Sequence, residues 1–217
     1  MSTAVGVMAR APSSGGKTRL ASHLSPARLT SLRNALLTDS LGALDGLPDL
    51  TVFFTPDEAE QEIASLCGAA VPRAAQGAGD LGARMLGALR HLLEARRCDA
   101  AILVGSDIPL LTRDHVAEAT GALTTRGGVV LGPADDGGYY LIGMTQVHAV
   151  LFDGIAWGSE SVLTDTLRAA DRAGIDAHLT RSAYDVDNID DLLRLERDLA
   201  WLPSAVCPAL RRWFSEA

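Results

Sequence analysis

The residues best suited to chemistry in this sequence are aspartates that follow short apolar runs. Asp107 lies in LVGSDIP (103–109), directly after one such run, and Asp185 and Asp187 alternate in YDVDN (184–188). Alternate residues of an extended segment point to the same side, so Asp185 and Asp187 share a face. Because Mg²⁺ binds one or two protein carboxylates together with phosphate oxygens and water, we interpret Asp107 and either Asp185 or Asp187 as a divalent cation site. The alternative is that these acids cap a turn and a helix.

A glycine-rich basic segment, APSSGGKTRL (11–20), follows the first apolar run. Glycine lets backbone N–H groups approach an anion closely, and Lys17 and Arg19 can neutralise phosphate charge. The spacing also approaches that of a P-loop. A P-loop continues directly into a long helix, whereas Ser25 and Pro26 indicate a new helix start, so we favour a phosphate-binding turn of another kind. The candidate phosphate contacts are Ala9, Arg10, Gly15, Gly16, Lys17 and Arg19.

A second glycine-rich segment, QGAGDLGARM (76–85), precedes a predicted helix. Three glycines within six residues suggest a loop that passes close to a flat ligand such as a nucleotide base. The competing interpretation is a tight turn and a helix cap. The candidate nucleotide contacts here are Gln76, Gly77, Gly79 and Asp80.

Two acids, two glycines and two tyrosines stand together in GPADDGGYYLIG (132–143). Asp135 and Asp136 can face a substrate on which the tyrosines pack, although Asp-Gly also favours a simple hairpin turn. Trp157, in a glycine-flanked loop, either lines an acceptor pocket or packs in the interior. The candidate substrate contacts are Asp136, Gly137, Gly138, Tyr139 and Trp157. The candidate catalytic residues are Lys17, Asp107 and Asp136.

Short apolar runs alternate with helical patterns along the chain and must position these residues. Strands are predicted at 4–9, 50–54, 100–104 and 129–131, and helices after Pro26, at 81–95, after Thr112, from Ser159 to Arg172 and after Asn188. This alternation predicts a mostly parallel sheet covered by helices on both faces. Ligands of such sheets bind beyond the carboxyl ends of the strands, where the polar residues cluster. We expect one domain over 1–217, with a terminal helix or tail at 203–217.

The composition excludes some functions. A net charge of −8 argues against general affinity for nucleic acid or anionic membrane. The sequence has no apolar run of roughly 18 to 20 residues and no basic start of a signal peptide, which favours a cytoplasmic protein. Cys67, Cys98 and Cys207 are interpreted as reduced thiols. The five histidines show no metal-ligand spacing and are interpreted as surface residues.

Taken in order, these strings resemble a bacterial family of radical-SAM/selenodomain-associated transferases, also described as arsenosugar-biosynthesis-type glycosyltransferases. The matching strings are MARAP (8–12), KTRL (17–20), QG (76–77), GDLG (79–82), GSD (105–107), DGGYYLIG (136–143), Trp157 and DVD (185–187). The resemblance implies the nucleotide-diphospho-sugar transferase superfamily and a glycosyltransferase-A-like, Rossmann-like three-layer α/β/α fold. It implies that the first loop holds phosphates through Lys17 and Arg19, and that Asp107 with Asp185 or Asp187 holds Mg²⁺ or Mn²⁺.

The KTRL and DVD strings are also similar to those of the 2-phospholactate guanylyltransferases, which share that fold. Two hypotheses follow for a metal-dependent, nucleotide-using transferase. The leading one is transfer of a sugar from a nucleotide-sugar donor to a small-molecule acceptor. The alternative is transfer of a nucleotidyl group from a nucleoside triphosphate to a small phosphorylated acceptor, with release of pyrophosphate. A third hypothesis is a nucleotide-binding protein that has lost catalysis.

Overall fold

The computed structural model describes residues 2–216 as strands alternating with helices. Four short 3₁₀ turns also occur in this part of the chain, and a π-helical turn at His91–Ala95 completes the helix predicted over 81–95. The elements in chain order are β1 (Thr3–Arg10), α1 (Pro26–Leu44), β2 (Leu50–Thr55), α2 (Glu60–Cys67), β3 (Arg73–Ala75), α3 (Leu81–Arg90), β4 (Ala100–Gly105), α4 (Arg113–Arg126), β5 (Val129–Pro133), β6 (Tyr139–Met144), α5 (Val162–Arg172), β7 (Ala177–Leu179), α6 (Ile189–Trp201) and α7 (Pro208–Ser215).

The strands form one seven-stranded sheet in the order β3-β2-β1-β4-β6-β5-β7. Every neighbouring pair is parallel except the two pairs made by β6, which runs antiparallel to β4 and to β5. The prediction of a mostly parallel sheet is confirmed. Because β6 runs antiparallel to both β4 and β5, β5 ends at the same edge of the sheet as β1 and β4. The turn between β5 and β6 therefore lies at that edge.

Helices cover both faces of the sheet and divide the buried residues into three clusters. One cluster joins the sheet to α1, α2 and α4, and the second joins the opposite face to α3 and α5. The third lies on the outer side of α1, where Leu32 and Leu36 pack with Leu195 of α6 and Trp213 of α7. Within the predicted terminal segment, Pro208–Ser215 therefore forms a packed helix rather than a loose tail. No helix between residues 2 and 216 is both long and apolar enough to cross a membrane.

Most of the predicted helix starts are confirmed by their caps. The Ser25 side chain accepts a hydrogen bond from the backbone N–H of Arg28, with Pro26 in the first turn, and Asn188 and Asp191 form a reciprocal capping box. The start at Ser159 is wrong. Consecutive turns occupy 155–161, so the helix begins at Val162 with Ser161 in the cap position.

The glycine-rich segment after β1 does not form a P-loop. Lys17 is followed only by a three-residue 3₁₀ turn, Thr18–Leu20, and a separate helix starts at Pro26. A P-loop would instead lead straight into a long helix. The preference for a phosphate-binding turn over a P-loop is therefore consistent with the local backbone.

Candidate functional site

Three carboxylates from distant parts of the sequence meet at the carboxyl ends of the central strands. Asp107 follows β4, whereas Asp185 and Asp187 lie in the segment that connects β7 to α6. One oxygen of each carboxylate lies within 4.8 Å of the others. The structure thus brings together Asp107 and both later acids, rather than one of them alone.

The backbone around these acids is held by side chains from several elements. Ser40 of α1 donates a hydrogen bond to the carbonyl oxygen of Ser106 at 2.9 Å, and the thiol of Cys207 donates to that of Pro109 at 2.8 Å. Asp191 accepts hydrogen bonds from the backbone N–H groups of Asp187 and Asn188. Both segments that carry the carboxylates are therefore anchored before any ligand binds.

Lys17 lies against this acidic group and is the only lysine in the sequence. Its ammonium is 2.9 Å from Asp107 and 3.5 Å from Asp187, and only 7% of its side chain is exposed. The backbone of Lys17 is left-handed, with φ of 53°. Such a conformation is uncommon for a residue other than glycine and is found preferentially at functional sites. Arg19 lies 3.6 Å from Asp187, but 73% of its side chain is exposed.

These charges shift one another's proton affinities. Burial alone would lower the pKa of Lys17, but the charge of Asp107 and its hydrogen bond raise that pKa above its ordinary value. Burial alone would raise the pKa of Asp107, but the charge and the hydrogen bond of Lys17 hold it below its ordinary value. The two groups therefore form an ion pair at neutral pH.

Asp185 differs from the other two acids because no ion pair is found for it within residues 2–216. Burial, together with the charges of Asp107, Asp136 and Asp187, raises the pKa of Asp185 to about 6. A carboxylate that is so crowded by like charges is stabilised by an added cation. Asp185 is therefore the carboxylate of the three that has no cationic partner among the described residues.

Two cavities meet at Asp107. The first, named here the Lys17 cavity, has a volume of about 210 Å³ and lies between the first loop and α1. The second, named the Trp157 cavity, has a volume of about 190 Å³ and lies between α3, the turn before β6 and the 157–159 turn. The charged residues of the Lys17 cavity are Arg10, Lys17, Arg33, Asp107 and Asp187. The main residues of the Trp157 cavity are Leu81, Met85, Asp107, Asp136, Tyr139, Trp157, Val162 and Asp185.

Arg33 of α1 shapes the Lys17 cavity and was not among the residues predicted from the sequence. Its guanidinium donates to the carbonyl oxygens of Pro12, at 2.8 Å, and Gly16, at 3.0 Å. Gly15 and Gly16 have φ of 89° and 110°, a region that side chains other than glycine rarely adopt. Arg33 thus pins the first loop in an unusual conformation. No local sequence pattern predicts these contacts, because Arg33 is one of several polar residues along α1.

The second glycine-rich segment contributes Leu81 and Met85 to the Trp157 cavity, but its first residues, 76–80, lie outside the linings of both cavities. The side-chain amide of Gln76 donates to the carbonyl oxygens of Ala9 and Phe53, and Asp80 caps α3 by accepting from the N–H of Ala83. Gly77 and Gly79 have positive φ. Among the residues that the structure describes, Ala9, Arg19, Gln76, Gly77, Gly79 and Asp80 are absent from the linings of both cavities.

The turn before β6 places its residues in different environments. Asp136 lines the Trp157 cavity and accepts a hydrogen bond from the N–H of Gly138 at 2.9 Å. Gly138 also lines that cavity, whereas Gly137 packs so closely on the backbone of Glu160 that a Cβ would lie 2.2 Å from its carbonyl oxygen. Asp135 points away and pairs with Arg194 at 2.7 Å. It therefore does not share the environment of Asp136.

The aromatic residues both pack and line the cavity. The ring of Trp157 is stacked on Phe152 at 6.3 Å and lies edge-to-face with Tyr139 at 6.4 Å. It also packs against Gly82, where an added Cβ would lie 2.6 Å from the indole. Burial raises the pKa of the Tyr139 phenol. Tyr140 is buried, and its hydroxyl donates to the carbonyl oxygen of Arg181.

The interpretation of every histidine as a surface residue is wrong for His115. This side chain is only 8% exposed, because it completes the cap of α4 with Thr112 and lies edge-to-face with Tyr140. Its neighbours explain the burial without any catalytic role. The three cysteines are free thiols.

Comparison with known proteins shows which class of protein this chain resembles. The chain is 30% identical over 187 residues to a 2-phospho-L-lactate guanylyltransferase of Methanothrix thermoacetophila, covering 84% of the chain and 79% of that protein. It is 35% identical over 99 residues to a phosphoenolpyruvate guanylyltransferase of Roseiflexus sp., covering 44% of the chain and 43% of that protein. A crystal structure from Desulfovibrio desulfuricans G20, named as a candidate nucleotide-diphospho-sugar transferase, superposes with a TM-score of 0.88 at 30% identity. That match covers 98% of the chain and 95% of the other protein.

These similarities define a transferase with a glycosyltransferase-A-like α/β fold, which confirms the predicted fold class. Residues 40–159 match the family described as an uncharacterized protein conserved in bacteria (DUF2064), and the chain belongs to that family. The predicted similarity to 2-phospholactate guanylyltransferases is confirmed as well. The association with radical-SAM enzymes stays a prediction.

Proposed function

We propose that this protein is a metal-dependent nucleotidyltransferase that moves a guanylyl group from GTP to a small phosphorylated acceptor and releases pyrophosphate. The observation that carries nucleotide-dependent transfer is the position of Lys17, held against Asp107 and Asp187 where the two cavities meet. One cavity can then receive the triphosphate and the other the acceptor. The two guanylyltransferase relatives favour nucleotidyl transfer over sugar transfer.

The acidic group fits a divalent cation by its chemistry. Asp107, Asp185 and Asp187 offer three oxygen ligands within 4.8 Å of one another, and Mg²⁺ and Mn²⁺ prefer oxygen. The unpaired, crowded Asp185 supplies a reason for a cation to bind here. When bound, such a cation would neutralise charge on the phosphates during transfer. Two of the three candidate ligands, Asp107 and Asp187, are thus the carboxylates that pair with Lys17.

The residues of the chain would divide the work between the two cavities. Lys17, Arg10 and the N–H groups of Gly15 and Gly16 would hold the β- and γ-phosphates, which stabilises the charge that pyrophosphate gains as it leaves. An oxygen of the acceptor phosphate attacks the α-phosphorus of GTP and forms a new P–O bond. The bond from the α-phosphorus to the bridging oxygen breaks, and its electron pair leaves with pyrophosphate. Asp136 and Trp157 would position the rest of the acceptor.

Sugar transfer, the leading hypothesis from the sequence, has weaker support than nucleotidyl transfer. The D. desulfuricans structure carries a sugar-transferase name, but both curated relatives are guanylyltransferases. The same cation and the same first loop would stabilise a nucleoside diphosphate leaving group, so geometry alone favours neither reaction. The leaving group therefore decides between them.

The test is a panel of the four common nucleoside triphosphates and of nucleotide-sugars, each with Mg²⁺ and a set of small phosphorylated acceptors. We expect pyrophosphate release with GTP, dependent on the acceptor and on the metal, and we expect it to be lost in Asp107→Asn. Asp135→Asn is the matched control, because Asp135 pairs with Arg194 outside both cavities. Turnover of a nucleotide-sugar without any pyrophosphate release from a triphosphate would overturn the proposal.

A further inference from the structure

The two cavities that meet at Asp107 differ in charge. Cations line the Lys17 cavity, where Arg10, Lys17 and Arg33 face two carboxylates. In the Trp157 cavity the charged lining residues are Asp107, Asp136 and Asp185, and within residues 2–216 no Lys, Arg or His lines it. Among the described residues, the charged side chains that a group meets in the Trp157 cavity are therefore all carboxylates.

We infer that the Trp157 cavity binds a positively charged ammonium group, so that the acceptor is a small phosphate ester carrying an amine or a quaternary ammonium. This inference rests on the proposed nucleotidyl transfer, because it assigns the second cavity to the acceptor. It names a different class of acceptor from those in the names of the two curated relatives, which are phosphorylated carboxylic acids.

The carboxylates of this cavity disfavour an acceptor that carries a second anionic group besides its phosphate. Asp107 is paired with Lys17, and a cation bound to the three carboxylates would engage Asp185, whereas Asp136 has no ion pair within residues 2–216. Among the described residues its carboxylate has a hydrogen bond only from Gly138 in its own turn. A carboxylate on the acceptor would be repelled by Asp136, whereas an ammonium would be attracted.

The aromatic and apolar lining suits the alkyl part of such a cation. Tyr139 and Trp157 both line the cavity with their rings 84° apart, and Trp157 is held in place by Phe152 and by its contact with Gly82. Cations are attracted to the faces of Trp and Tyr rings, and quaternary ammonium groups are commonly bound in this way. Leu81, Met85 and Val162 add apolar surface for methyl or methylene groups. An aromatic wall beside an unpaired carboxylate favours an alkylammonium over a bare inorganic ion.

The size of the cavity limits the acceptor. Its volume of about 190 Å³ is below the roughly 300–1,000 Å³ of pockets that enclose drug-sized ligands. The phosphate of the acceptor must reach the junction at Asp107, so only a short chain can separate phosphate from ammonium. Ethanolamine phosphate and choline phosphate have this composition and serve as probes.

The experiment compares acceptors in the pyrophosphate-release assay with GTP and Mg²⁺. We expect choline phosphate or ethanolamine phosphate to be used at least tenfold faster than 2-phospholactate, phosphoenolpyruvate or glycerol phosphate. Asp136→Asn should remove most of this preference, because asparagine keeps the hydrogen bond from Gly138 but not the charge. Trp157→Leu should raise the KM for choline phosphate, and Asp135→Asn should behave as wild type.

Other outcomes separate this inference from the proposed function. Pyrophosphate release that is fastest with phosphorylated carboxylic acids, or equally fast with glycerol phosphate, leaves nucleotidyl transfer intact and overturns the ammonium assignment. If no acceptor supports pyrophosphate release, the proposed function fails, and calorimetry with choline phosphate decides the ammonium assignment. Binding that weakens at least tenfold in Asp136→Asn and in Trp157→Leu would support it, and no binding to the wild type would refute it.

Discussion

Replacing Lys17 with methionine should strengthen the binding of Mn²⁺ to the nucleotide-free protein. The ammonium of Lys17 is 2.9 Å from Asp107 and 3.5 Å from Asp187, so it neutralises two of the three candidate ligands. A divalent cation that binds to the same carboxylates must do so next to this positive charge. Lys17→Met removes the repulsion and keeps a side chain of similar length, so metal affinity should rise.

The magnitude follows from the distances and the exposure of the carboxylates. Two unit charges at about 4 Å repel by about 1 kcal/mol in water and by about 4 kcal/mol at an effective dielectric constant of 20. A divalent ion doubles this. Only 7% of the Lys17 side chain is exposed, but 44% of the Asp107 side chain and 43% of the Asp187 side chain are, so we use the value for water as the lower limit. The expected gain is about 2 kcal/mol, or about 30-fold in affinity.

The assay is calorimetry with Mn²⁺ at pH 7.5 and low salt, followed by titration of GTP in the presence of the metal. Lys17→Met should bind Mn²⁺ more tightly and GTP more weakly, because the lysine also serves the triphosphate in the proposed function. Arg19→Met is the control: its side chain is 73% exposed and 3.6 Å from Asp187, so Mn²⁺ affinity should change less than about threefold. A folded Lys17→Met protein with unchanged or weaker Mn²⁺ affinity would refute the reasoning.

Three further predictions concern stability. Because the folded-state pKa of Asp185, about 6, lies above its ordinary value of 3.8, the free energy of unfolding falls as pH rises between these values. Asp185→Asn should therefore raise the free energy of unfolding of the metal-free protein at pH 7 by about 1 kcal/mol, once exposure is allowed for, and so raise its Tm. The same variant should lose its stabilisation by Mn²⁺. Gly82→Ala should lower the free energy of unfolding by about 1–3 kcal/mol in urea, because its Cβ would overlap the ring of Trp157. Gly87→Ala, in the same helix with no atom within 4 Å of the added Cβ, should be neutral or stabilising, and an equal loss in both variants would contradict this account. Asp39→Ala should lower the free energy of unfolding by about 1–2 kcal/mol in the same assay, because Asp39 accepts hydrogen bonds from the first backbone N–H groups of α7. GTP binding should not weaken in this variant.

The sequence predicts the framework of the site because the relevant signals are local. Asp107 stands next to a buried strand, and alternation in YDVDN puts Asp185 and Asp187 on one face. The sheet rule then places all three at one edge. The capping residues Ser25 and Asn188 likewise mark helix starts that the structure confirms.

The contacts between distant segments could not be predicted. Lys17 is separated by 90 residues from Asp107 and by 170 from Asp187, and its left-handed backbone leaves no mark in the sequence. The same limit applies to Arg33, which reaches back to the first loop from the middle of a helix. For Gln76 the glycines predict a loop near a flat ligand, but the pattern does not show that its amide donates hydrogen bonds to the carbonyl oxygens of Ala9 and Phe53. The composition of a loop shows that the loop is unusual, but it does not show which distant residues contact it.

The sheet ends on both sides in strands of only three residues, β3 at Arg73–Ala75 and β7 at Ala177–Leu179. An exposed edge strand offers unpaired backbone N–H and C=O groups to which a strand of another molecule can add, and long edges promote aggregation. Such short edges offer few of these groups, and a net charge of −8 adds repulsion between copies. The shortest strands of the molecule thus limit edge-to-edge association, and a sequence change that lengthened either of them would weaken that protection.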